Sequence, residues 1–98
     1  MSGGTLLVYR CAPDIIWVKD SGHTILVDGE AGCFWLLSGW KAAVWDLLSL
    51  GYLAEEIVRF LALLLDVRTE MAKERLLTIL DEWEGNGMVC SAAEGGRG

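Results

Sequence analysis

Few side chains in this 98-residue chain could do chemistry, and none has the company it would need. The single histidine, His23, falls in or beside a turn and reads as a solvated imidazole rather than a catalytic base. The three cysteines, Cys11, Cys33 and Cys90, are odd in number, far apart and without a C-x-x-C pair. A structural zinc takes four thiolate or imidazole ligands at tight spacings, so no metal centre and no disulfide framework is expected. The thiols read instead as reduced groups that pack as small hydrophobes. Glu55 and Glu56 are adjacent carboxylates. On a helix, neighbours point about 100° apart, so they suit the start of a helix dipole better than a shared proton. Asp81, Glu82 and Glu84 read as a solvated face. There is no G-x-G-x-x-G, no phosphate loop and no G-x-S-x-G. The expectation is a non-catalytic protein with no metal and no cofactor.

Composition bounds the rest. The chain is 53% hydrophobic and 22% charged, which fits one folded domain rather than a disordered segment. Its net charge of −6 argues against a nucleic-acid partner. The unbroken apolar run at residues 60–65 is far short of the roughly twenty residues a membrane span requires. No basic region precedes residues 5–9, so no secretory signal is read and a cytoplasmic protein is expected.

The hydrophobic period changes once along the chain. Ile15-Ile16-Trp17-Val18-Lys19 is β-branched and aromatic and reads as a strand. Asp20-Ser21-Gly22 supplies a turn, and Thr24-Ile25-Leu26-Val27 is a second strand. A longer loop, Asp28-Gly29-Glu30-Ala31-Gly32, leads to a third, Cys33-Phe34-Trp35-Leu36-Leu37. Residues 5–9 are either a further strand or an ordered arm, and Met88-Val89-Cys90 fits a short closing strand.

Helical spacing takes over after Ser38, a good N-cap. Trp40, Val44, Leu47 and Leu48 share one helix face, and Gly51 ends that helix. A second helix starts near Ala54 with a stripe of Ile57, Phe60, Leu61 and Leu64. Val58, Leu63 and Leu65 make it apolar nearly all round, so it is expected to be the central, most buried helix. A third, capped by Thr69, carries Ala72, Leu76, Ile79, Leu80 and Trp83, with Leu77 off to one side. The order gives an α+β fold, winged-helix-like, with a three-stranded antiparallel sheet followed by three helices. Residues 1–8 form the arm or extra strand, 9–90 the domain, and 91–98 a disordered tail.

A winged-helix shape raises the question of DNA. The third helix carries five acids (Glu70, Glu74, Asp81, Glu82, Glu84) against Lys73 and Arg75, the wrong sign for phosphate contacts. What remains is an edge. The last strand of the meander, at residues 32–37, holds no Lys, no Pro and no inward charge. Natural proteins usually blunt such an edge, so an open one invites another chain to add as a strand.

From Tyr9 to Val89 the residues resemble the PqqD-type peptide-binding domain, the RiPP recognition element. The family's Arg-x-x-Pro opening is matched by Arg10-Cys11-Ala12-Pro13, and its Leu-Asn at the strand-to-helix junction by Leu37-Ser38. Its Ile-Trp-Glu-Leu-Leu helix corresponds to Val44-Trp45-Asp46-Leu47-Leu48, and its Glu-Glu-Ile helix start to Glu55-Glu56-Ile57. The closing Gly-aliphatic pair is Gly87-Met88-Val89. The small residues usual early in the first helix are replaced here by Trp40 and Lys41.

The resemblance implies a protein that binds the leader of a ribosomally made precursor peptide and delivers it to a modifying enzyme, typically a radical SAM protein. The leader is expected to lie antiparallel to the last meander strand, in the groove between it and the third helix. Gly32, Cys33, Phe34, Trp35 and Leu36 would give backbone hydrogen bonds, and Lys73, Leu76, Leu77, Leu80 and Glu84 the helix wall, with Leu77 the foremost groove residue. Lys73 and Arg75 would meet acidic residues of the leader. A competing expectation is a homodimeric subunit that pairs the same edge with its own copy.

Overall fold

The computed structural model describes residues 7–93. The elements run β1 (Leu7–Cys11), β2 (Ile15–Asp20), β3 (His23–Asp28), β4 (Cys33–Ser38), α1 (Trp40–Ser49), α2 (Ala54–Leu65), α3 (Thr69–Gly85) and β5 (Val89–Ala93). Strands β2, β3 and β4 form the expected antiparallel meander, with three helices after it. The α+β class read from the sequence is the one observed.

Local chemistry sets the meander's register. Ser21 and Gly22 both take positive φ, at 52° and 81°, between the paired Asp20 and His23. A two-residue loop of that kind matches the right-handed twist of the strands it joins. At the next loop the Asp28 carboxylate accepts the N–H groups of Glu30 and Ala31 at 3.0 and 3.1 Å, closing the chain back toward β4.

Strands β1 and β5 make a separate two-stranded antiparallel sheet, from Leu7 opposite Ala93 to Cys11 opposite Val89. Of the segment left open between strand and arm, residues 7–9 are thus strand. The closing strand begins at Val89 and runs on to Ala93, into residues expected to be tail. The Ala12 N–H donates to the Met88 carbonyl at 2.9 Å and extends this ladder by one bond. Residues 1–6 of the arm and 94–98 of the tail lie outside the described residues.

Three helix details differ from expectation. The N-cap of α1 is Gly39 at φ 61°, not Ser38, which is the last residue of β4. Positive φ lets the chain turn from strand to helix in one step, and glycine does this without strain. The N-cap of α3 is Arg68, with Thr69 the first helical residue. Helix α2 is not the most buried: it buries Ile57, Val58 and Leu61, but Leu63 is 84% exposed and Phe60 and Leu64 are also open. Its main packing partner is α3, so only one of its faces is covered. Helix α3 contributes most to the core, through Ala72, Leu76, Ile79, Leu80 and Trp83.

The centre of the core is aromatic. Trp45 is fully buried and stands edge-on to Trp17 at 5.6 Å and to Trp83 at 5.7 Å, tying sheet to helices. A Lys19–Asp46 ion pair joins β2 to α1 nearer the surface. Among the described residues no helix is long and apolar enough to cross a membrane, and no group of acids, histidines and cysteines converges to hold a metal.

Candidate peptide-binding groove

Strand β4 pairs with β3 along one side, and no described strand pairs with its other edge. Alternation sorts its side chains. Leu37 is buried and Trp35 half-buried, both toward the helices, while Phe34 (73% exposed) and Leu36 point to the opposite face. There Phe34 continues a cross-strand row with Val27 and Ile16, and Leu36 a row with Ile25 and Val18.

Beside the open edge, β4 and α3 enclose a cavity of about 160 Å³. Trp35, Leu36 and Leu37 line it from the strand, Ile79, Glu82 and Trp83 from α3 with its C-cap Asn86, and Lys41 and Met88 complete the lining. A second cavity, of about 370 Å³, shares Lys41, Ile79 and Glu82 with the first and adds Trp40, Glu74, Arg75 and Thr78. Together they make one groove, running from the C-terminal part of α3 past the open edge to the first turn of α1. Its floor is apolar and its rim carries two cations and two carboxylates. The Lys41 ammonium lies over the Trp40 ring, 5.9 Å from its centroid.

The structure brings only part of the expected site together. Trp35 and Leu36 line the groove, and Cys33 and Phe34 lie on the open-edged strand with exposed side chains. Gly32 sits in the preceding turn at φ 72°, its N–H already donated to the Asp28 carbonyl at 2.9 Å, so it has no amide left to offer. The helix wall is a correction. Leu76 and Leu80 are fully buried core residues. Lys73, Leu77 and Glu84 are exposed but line neither cavity. Two residues along a helix turn a side chain by roughly 200°, which carries Leu77 away from the face that Ile79 presents to the groove.

The residues that line the cavity beside β4 from α3 and its C-cap are Ile79, Glu82, Trp83 and Asn86, spaced i, i+3, i+4 and i+7. Ile79 and Trp83 belong to core and groove at once, being nearly buried yet forming its floor. Sequence reasoning assigned them to the core alone. A signal for the other wall existed in Trp40 and Lys41, which stand where small residues are usual in the resembling family.

A larger cavity, of about 480 Å³, lies at the β1–β2 corner and the end of α1, and shares no lining residue with the groove. Tyr9, Cys11, Trp17 and Tyr52 are among its walls. Burial there pushes the Cys11 thiol up to about 11, which makes it a poor nucleophile. Burial also raises the Tyr9 phenol, with Glu84 and Asp81 adding to the shift.

Two solved structures share the architecture. A lasso peptide synthetase B1 complexed with the leader peptide superposes with a TM-score of 0.77 at 23% identity, over 85% of this chain and 98% of that one. TbiB1 in complex with the TbiA(beta) leader peptide gives 0.77 at 18% identity, over 91% and 99%. This chain has the PqqD-like fold. No protein-family model and no curated protein matches it. The PqqD-like fold accounts for the sheet–helix order, while the β1–β5 ribbon joins residues 7–11 to residues 89–93.

Proposed function

We propose that the protein binds the leader segment of a ribosomally made precursor peptide by β-strand addition to β4, and holds it for a modifying enzyme without doing chemistry itself. The observation that carries this reading is the open β4 edge facing an apolar groove built with α3. The strand edge supplies backbone hydrogen bonds independent of guest sequence, and the groove floor of Trp35, Ile79 and Trp83 supplies side-chain selection. The two structural neighbours, each complexed with a leader peptide, support the same reading. The β4 edge at Cys33, Phe34, Trp35 and Leu36 is the proposed backbone site. Of the expected helix residues, Lys73, Leu76, Leu77, Leu80 and Glu84 yield to Ile79, Glu82, Trp83 and Asn86.

The enzyme served is a modifying enzyme for the same precursor. The family resemblance points to a radical SAM protein, whereas the neighbours' names point to a lasso peptide synthetase. Co-purification with each distinguishes them. The test of binding is a tryptophan-fluorescence titration with the leader half of the precursor peptide encoded beside this chain. Trp35 and Trp83 wall the groove and report its occupancy. A strand-sized guest is expected to saturate with Kd on the order of micromolar. No saturation, together with a stable dimer in sedimentation, would assign the edge to a second copy instead.

A further inference from the structure

Antiparallel sheets commonly turn one face to the core and a polar face to water. The meander does not. Its outer face carries two apolar cross-strand rows, Ile16, Val27 and Phe34 in one, Val18, Ile25 and Leu36 in the other. Five of the six are between 42% and 73% exposed, Ile25 is half-buried, and none packs against the core. A third row, of Asp20, His23 and Ser38, is polar and bounds the patch. The six expose on the order of 600 Å², the top of the range for the largest apolar patch of a soluble monomer. We infer that this face is the interface of a homodimer, two meanders stacked face to face.

Charge, shape and area select a second copy as the occupant. Each chain carries −6, yet the two rows hold no charged residue, so stacked copies keep their like charges at or beyond the rim. A two-fold axis along β3 sets β2 of each copy over β4 of the other, with Ile16 against Phe34 and Val18 against Leu36. The larger β4 side chains then meet smaller β-branched ones, the arrangement that lets two packed sheets interdigitate. Two such faces bury roughly 1,200 Å², the lower end of a specific interface. This contact differs from a pairing of two β4 edges. The groove lies on the α3 side of the sheet and the β4 edge stays open, so each copy keeps its peptide site. The dimer therefore stands or falls apart from the leader reading.

Sedimentation velocity of the full chain over a concentration series tests it. A reversible monomer–dimer equilibrium is expected, with Kd on the order of tens of micromolar, as suits an interface at the small end of the range. Added salt should tighten it, because screening removes the repulsion between two chains of charge −6. Phe34→Lys on β4 and Ile16→Lys on β2 each set an unpaired ammonium against the partner's apolar face. Each is expected to weaken the dimer at least tenfold with unchanged circular dichroism, and the encoded leader should leave the wild-type dimer in place. A wild-type chain that stays monomeric up to about 50 times that Kd would overturn the inference. So would a dimer that either folded variant leaves intact, or one that the leader disperses, which would assign the contact to the β4 edge.

Discussion

The Trp83 indole that floors the groove stands edge-on to the buried Trp45 indole, their centroids 5.7 Å apart at 75°. Trp45 meets Trp17 of β2 in the same way on its other side. Such pairs add about 0.5–1.5 kcal/mol beyond the area they bury. The groove is thus floored by side chains that the core already holds in place, which lowers the entropy lost when a guest is ordered against it.

Trp83→Ala should cost about 3–5 kcal/mol, the range for emptying a buried aromatic site, and should lose peptide binding with stability. Trp45→Phe is expected to cost far less, about 1–2 kcal/mol, because the Trp45 Nε1–H is buried with no acceptor and its removal relieves an unmet group. Urea unfolding of the two variants measures the difference.

Trp35→Ala and Leu77→Glu separate groove from helix surface. Trp35 is half-buried and lines the groove, so its truncation is expected to weaken leader binding by about tenfold or more with a modest loss of stability. Leu77 is 43% exposed and off the groove, so Leu77→Glu should change neither binding nor the unfolding midpoint appreciably. Loss of binding in a folded Leu77→Glu protein would restore the helix rotation first read from the sequence.

On the outer face of the sheet, Phe34→Lys should change stability by less than about 1 kcal/mol, since that side chain is largely exposed and lines neither cavity. Leader affinity should hold, because the guest pairs with backbone that this change leaves in place. Thermal melts and the same fluorescence titration check both statements.

Stability should fall as pH rises from about 9 toward about 11, through Cys11. Its folded pKa, about 11, stands above the ordinary 9.0 because burial disfavours the thiolate. Between those values the unfolded chain releases a proton that the folded chain retains, so the equilibrium shifts toward unfolding. Cys11→Ala should flatten the decline in denaturant midpoint. The exposed Cys33 and Cys90 should also alkylate well before Cys11 at pH 8.

The meander and the three helices were legible because their signals are local: Gly22 marks a tight turn, and Val44 with Leu48, or Ile79 with Trp83, repeat at one helical turn. The β1–β5 ribbon was not, since it joins residues some eighty positions apart with no turn chemistry between them. The groove wall was missed for a different reason. Apolar residues cover α3 from Ala72 through Trp83 on a broad stripe, and a hydrophobic period gives the stripe without saying which of its flanks faces the sheet. Leu77 stood out as the off-stripe leucine, yet it lies on the flank away from β4. Trp45 fell outside the amphipathic stripe drawn for α1, although it is fully buried at the centre of the core.

Amide hydrogen exchange across β4, with and without the encoded leader, tests the central claim most directly. Strand addition should slow exchange at alternate amides between Cys33 and Leu37, those whose N–H groups face away from β3, while the β2–β3 pairing stays unchanged. Leader binding that leaves every β4 amide exchanging as before, with protection elsewhere on the molecule, would contradict it.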